Sequence, residues 1–272
     1  MGHPEGVYAF DAATAVRSER PGTYAIDLDP AWSVGPGLLN GGYLMALGVR
    51  AALADGPHPD PLAVSATFLR PLAAGPATAL TVPLRSGRTV ASTRVSLTSA
   101  PGEPPGVDLQ VTTASLCGDA PEWTDVRAPA IAAPQDCLGM TMPGYESPGL
   151  AQVLQYAFDP DTSGWLRGRP GTEPLLNLWL RFADGRPVDP LALVLMADAC
   201  PPVSFATGRL GWAPTISMQV LVRGRPAPGW CQVQARSRLV AGGFSDEEAM
   251  IWDSTGALVA QARQIAVPPR HG

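Results

Sequence analysis

The feature that most limits what this chain can fold into is an internal repeat. Two stretches flanking a Pro/Gly-rich segment run through the same order of elements at a nearly constant offset of about 150 to 152 residues, the mark of a duplicated unit. Ser65 aligns with Ser217, Arg85-Ser86 with Arg236-Ser237, Gly106 with Gly256, and Asn40 with Pro190. In the first copy, residues 24–28 read as a strand and 40–54 as a helix capped by Asn40. Strand-like runs follow at 64–69, 79–84, 93–97 and 109–115, parted by Pro and Gly turns. The second copy repeats the order. A strand at 176–182 precedes a helix opened by Asp189-Pro190 and ended near Pro201-Pro202, and strands follow at 215–222, 231–236, 248–252 and 258–267. The expected organisation is one unit over residues 1–118, a linker over 119–149 and a second unit over 150–272. One helix plus a strand meander makes each unit α+β, a sheet wrapped around a long helix.

Composition narrows the chemistry. Among 272 residues all 19 basic side chains are Arg, and there are only 3 His. The formal net charge of -5 argues against nucleic acid or an anionic membrane surface as partner, because both need clustered positive charge. His3 and His271 lie near the chain ends, and His58, between Pro57 and Pro59, reads as a solvated loop histidine. A Ser-His-Asp or Cys-His mechanism is therefore not expected, and the absence of Lys removes Schiff-base chemistry. Cys117, Cys137, Cys200 and Cys231 form no CxxC pair and read as buried free thiols, so neither metal nor cofactor is expected. A start with no basic or apolar leader, and no apolar run of membrane-spanning length, point to a soluble cytoplasmic protein.

Polar residues that break the apolar pattern identify candidate site groups. The second helix is almost wholly apolar from Leu191 to Ala197, and Asp198 falls on the stripe of Leu191, Val194 and Leu195. A carboxylate buried there is costly unless hydrogen-bonded. On the last strand, alternation puts Gln264 on one face with Leu258, Ala260 and Ala262. An end-of-helix cap for Asp198 and a fraying strand at Gln264 would account for both without any site. The repeat tilts the balance: Asp198 aligns with Gly48, Gln264 with Ala114 and Thr215 with Ala63, so one copy is polar where the other is small and apolar. In the first copy, Asn40-Gly41-Gly42 opens a helix with exposed amides and a positive dipole end, suited to an anion or oxyanion. A tight loop that needs Gly only for packing reads equally well. Cys200, with no His or Lys to activate it, reads as a structural thiol.

Taken together, Asn40-Gly-Gly-Tyr-Leu-Met-Ala, Ser65-Ala-Thr-Phe-Leu-Arg-Pro71 and Arg85-Ser-Gly-Arg88 resemble the N-terminal half of TesB-like acyl-CoA thioesterases. Leu178-Trp-Leu-Arg181, Asp189 to Asp198, Pro214-Thr-Ile216 and Val259-Ala-Gln-Ala-Arg-Gln264 resemble the C-terminal half. The resemblance implies a double hotdog fold, two tandem hotdog units in one polypeptide. It also implies hydrolysis of a fatty acyl-CoA, with the family's water-orienting Asp, Thr and Gln falling on Asp198, Thr215 and Gln264. Asn40, Gly41 and Gly42 would meet the substrate, and CoA phosphates would be met by Arg or backbone amides, since Lys is absent. Ser217 stands where the family often has an acidic residue. A homo-oligomer is expected from the same resemblance. The alternative is a non-catalytic acyl-CoA or lipid binding hotdog protein; a hotdog hydratase or dehydratase normally calls for an Asp-His pair, which the lone internal His58 makes remote.

Overall fold

Each repeat folds as a sheet curled around one helix, and the two sheets run into each other. The computed structural model describes residues 7–100, 102–118, 121–141 and 149–269. The first unit comprises α1 (Ala9–Ala13), β1 (Arg17–Arg20), β2 (Thr23–Leu28), the short ribbon β3 (Ser33–Gly35) and β4 (Leu38–Leu39), and α2 (Gly41–Ala54). Its meander is β5 (Asp60–Phe68), β6 (Gly75–Ser86), β7 (Ala91–Thr98) and β8 (Val107–Ala114). The second comprises α3 (Leu150–Val153), β9 (Leu154–Phe158), β10 (Leu175–Phe182) and α4 (Pro190–Met196). Then come β11 (Thr215–Val222), β12 (Cys231–Arg236), β13 (Val240–Ala241), β14 (Phe244–Trp252) and β15 (Leu258–Ala266).

The strands form one 13-stranded antiparallel sheet in the order β1-β2-β6-β7-β8-β5-β11-β15-β14-β12-β10-β9, with β13 beside β14. The order is the same read outward from the centre in each half, and the halves join where β5 pairs with β11. There Ser217 lies opposite Thr67 and Gln219 opposite Ser65, so aligned residues exchange places across the junction, as a two-fold axis requires. Alternation explains the burial. On β11, Met218, Val220 and Val222 face the core while Gln219 faces out. Helices α2 and α4 pack against each other inside the curled sheets. Gly42 through Val49 are therefore buried with no polar face, and every residue of α4 is buried.

The helix starts follow their capping residues. The Asn40 side chain accepts the Tyr43 amide and that of Asp189 accepts the Ala192 amide, with Pro190 at the first helical position. By cap position the counterpart of Asn40 is thus Asp189, one residue from the alignment with Pro190. The second helix also stops earlier than Pro201: it ends at Met196. The Asp198 amide then bonds to Leu195 and that of Ala199 to Met196, a tightening into three-residue turns that takes Asp198 past the helix proper. In the first copy the aligned Gly48 is small because a Cβ there would lie 2.5 Å from Leu109 Cδ1 on β8.

At the start of α4, the two-fold counterpart of the α2 start, the space is filled. Asp11 of α1 accepts hydrogen bonds from Arg186 and Arg50, and Arg186 also reaches Asp189. Phe10 is fully buried against Trp32 and Phe182, under the Arg186 guanidinium.

Two further expectations need correction. His58 is not solvated: it is 9% exposed, and its Nε2 lies 2.9 Å from the Gly87 carbonyl in the turn between β6 and β7. The cysteines are free, but only Cys231 is buried; Cys137 and Cys200 are partly exposed and Cys117 is exposed, because it follows the end of β8. Residues 121–141 of the expected linker lie along the second unit. Leu138 makes a backbone bridge to Phe158, Trp179 Nε1 donates to the Ala132 carbonyl, and Gln232 Nε2 donates to the Pro129 carbonyl. Among the described residues, no helix is long and apolar enough to cross a membrane.

Candidate active site

A cavity of about 610 Å³ lies between the start of α2, the turn after α4 and the strands β11, β14 and β15. Asn40, Arg70, Asp198, Thr215, Glu247 and Gln264 supply polar side chains to its wall, with the Gly41 backbone beside them. Leu39, Leu44, Phe68, Leu150, Phe205 and Trp212 supply much of the apolar remainder. Five of the six residues singled out from sequence therefore converge on one space; Gly42 stands just behind it.

Asp198 is held by the other repeat. The Gly42 amide donates to its Oδ2 at 2.8 Å, and Asn40 Nδ2 donates to the same oxygen at 3.1 Å and to the Asp198 carbonyl at 2.8 Å. Asn40 Oδ1 meanwhile accepts the Tyr43 amide, so one side chain caps α2 and grips Asp198 at once. The adjacent glycines are required by this approach. A Cβ on residue 41 would lie 2.8 Å from Asp198 Oδ2, and one on residue 42 would lie 2.6 Å from the Leu195 carbonyl and 2.9 Å from Asp198 Cβ. The helix start thus does receive an anion, and it is the protein's own. Burial pushes the Asp198 carboxyl up to about 6, against the pull of the Gly42 amide, the Asn40 side chain and the Gly41 amide. Tyr156 fixes the turn by donating its hydroxyl to the Ala199 carbonyl.

Thr215 and Gln264 form a second group. Thr215 Oγ1 donates to Gln264 Oε1 at 3.0 Å, and Gln264 Nε2 donates to Glu247 Oε2 at 3.1 Å. Among the described residues neither bonds directly to Asp198. Glu247 escapes the sequence reading, which starts this strand at residue 248. Extending the alternation back from Ile251 and Ala249 finds it, since Ser245, Glu247, Ala249 and Ile251 share the buried face of β14. Burial pushes its carboxyl up to about 7. Hydrogen bonds from Gln264 and the Val203 amide oppose that rise, and the charges of Asp198 and Asp246 add to it. Cys200 also lines the cavity, and its largely desolvated setting together with the charges of Glu247 and Asp198 raises its thiol far above neutrality, which leaves it unreactive.

Two family models divide the chain. The acyl-CoA thioesterase N-terminal domain matches residues 28–117, and the acyl-CoA thioesterase C-terminal domain matches residues 134–267. The chain belongs to the acyl-CoA thioesterase family. This makes the enzyme a TesB-like thioester hydrolase, and the tandem hotdog expectation agrees with its solved relatives. A Thermobifida fusca protein assigned to thioesterase II is 33% identical, with a TM-score of 0.87 over 97% of this chain and 98% of that one. A protein of unknown function with a hot dog fold from Alicyclobacillus acidocaldarius is 20% identical, with a TM-score of 0.85 over 98% of this chain and 100% of its own. The uncharacterized protein Rv0499 of Mycobacterium tuberculosis is 31% identical over 266 residues, which span 89% of this chain and 90% of the relative.

Proposed function

We propose that the cavity hydrolyses a fatty acyl-CoA to free acid and CoA, with Asp198 as general base and Thr215 and Gln264 holding the attacking water. The observation that carries this reading is the setting of Asp198. It is a carboxylate in a largely apolar cavity, held by neutral donors alone, and a carboxyl that titrates near 6 is ionised at pH 7 yet more basic than an ordinary Asp. The water oxygen attacks the thioester carbonyl carbon as its proton passes to Asp198. The tetrahedral intermediate then expels the CoA thiolate, which takes that proton from Asp198.

In the resting site, the donors of Asn40, Gly41 and Gly42 serve Asp198. Proton transfer neutralises Asp198 as the oxyanion forms, so a single negative charge remains beside the start of α2 throughout. The same amides and helix dipole then serve the carboxylate before the transfer and the oxyanion after it. The apolar wall accommodates the acyl chain.

Thiol release from a series of acyl-CoAs, compared between wild type and Asp198→Asn, tests the assignment. General-base catalysis is worth about 10² to 10⁴ in rate, so the variant should lose well over tenfold while remaining folded. Equal turnover by the two proteins removes Asp198 from the chemistry.

A further inference from the structure

We propose that Glu247 is a positioning residue, which as a carboxylate sets the direction of the Thr215–Gln264 hydrogen-bond chain and so decides which groups the water meets. This inference rests on the hydrolase reading above. A primary amide is ambiguous, because half a turn about its last bond exchanges oxygen for NH₂. Thr215 cannot resolve the ambiguity, since a hydroxyl both donates and accepts. Glu247 can, because an ionised carboxylate only accepts.

The geometry supports that role. Glu247 on β14 lies directly opposite Gln264 on β15 in the strand register. Its Oε2 takes the Gln264 Nε2 donor, the Val203 amide donates to it as well, and the residue is 8% exposed. The remaining groups that act on it are Asp198 and Cys200 from the segment after α4, and Asp246 on its own strand, which pairs with Arg263. Among the described residues no Arg pairs with Glu247.

With Nε2 turned to Glu247, Gln264 Oε1 must face Thr215, as observed, and the Thr215 hydroxyl must donate to it. A water in the cavity then has one consistent arrangement. It donates to Asp198 and to the Thr215 oxygen and accepts the second N–H of Gln264, which leaves one lone pair for the thioester carbon. Protonated Glu247 no longer selects a direction: its O–H can donate to a turned Gln264, whose Nε2 then donates to Thr215, and in that arrangement the Thr215 hydroxyl competes for the attacking lone pair. Full activity therefore needs both carboxylates ionised, Asp198 near 6 and Glu247 near 7.

The test pairs pH profiles of kcat/KM for wild type, E247Q and D198N with a titration of the same proteins carrying ¹³C-carboxyl glutamate. Wild type should gain activity through two ionisations. In E247Q the upper one should vanish and kcat should fall about tenfold with KM within twofold, because an amide at 247 no longer selects one orientation of Gln264. In the carboxyl spectra, a glutamate titrating near 7 should be missing from E247Q and should titrate lower in D198N, where the neighbouring charge is gone. Wild type without hydrolytic activity defeats the hydrolase reading itself. Active wild type with an E247Q that keeps both ionisations and full kcat defeats only the role of Glu247. Where E247Q does not fold, a wild type with no glutamate carboxyl titrating above 6 overturns it equally.

Discussion

An Asp that titrates at about 6 in the folded chain, against 3.8 for the unperturbed group, makes the fold bind a proton more tightly than the coil does. Stability from this source is complete at pH values below 3.8 and is lost as pH rises through 6. At pH 8 the ionised Asp198 therefore destabilises the fold, and D198N, which resembles the neutral form, should be more stable than wild type by about 3 kcal/mol. At pH 4 that gain should shrink towards zero. Urea unfolding midpoints at the two pH values decide this, and a D198N less stable than wild type at pH 8 would contradict it. Legibility at this scale depends on contrast. Asp198 and Gln264 show in the sequence because each interrupts an apolar stripe. Glu247 is hidden among Asp246 and Glu248, a charge run that reads as solvated. In the structure Asp246 pairs with Arg263 and Glu248 with Arg238 on the outer face, while Glu247 points inward.

At the scale of elements, the site is a junction between one helix start and one helix end. The start of α2 was legible from Asn40 and the paired glycines, because capping chemistry is local. The end of α4 was not, because the sequence up to Pro201 is compatible with a longer helix, and the bonds that hold the turn after it, Gly42 to Asp198 and Tyr156 to Ala199, are long-range. The glycines make this junction testable. In Gly42→Ala the new Cβ meets the Leu195 carbonyl at 2.6 Å, a backbone atom that cannot swing aside. Overpacking of this kind costs about 1 to 3 kcal/mol, and displacement of Asp198 should lower turnover more than tenfold. Gly224→Ala, whose Cβ would meet only Val259 at 3.9 Å, should leave the urea midpoint and turnover unchanged. Equal behaviour of the two variants would detach the α2 start from the site.

For the whole molecule, the repeat was legible because duplicated units keep their order and spacing. The path of residues 121–141 was not, since its contacts with Trp179, Gln232 and Phe158 are long-range and leave no local pattern. The site itself belongs to neither unit. Asn40, Gly41 and Gly42 come from the first, and Asp198, Thr215, Glu247 and Gln264 from the second. Residues 1–118 and 119–272 expressed as separate chains should each lack thiol-releasing activity, and mixing should restore it only to the extent that β5 and β11 re-pair. Turnover by the second piece alone would show that the first does not complete the site.

Duplication begins with two equivalent pockets per chain, and here the one at α4 is occupied by Phe10 and by the Asp11, Arg50, Arg186 and Asp189 cluster. Among the described residues, that plug fills the position that at the start of α2 opens onto the cavity. On the proposed function the duplicated chain is therefore monovalent: one repeat keeps an open pocket, and the start of the other's helix serves as its wall.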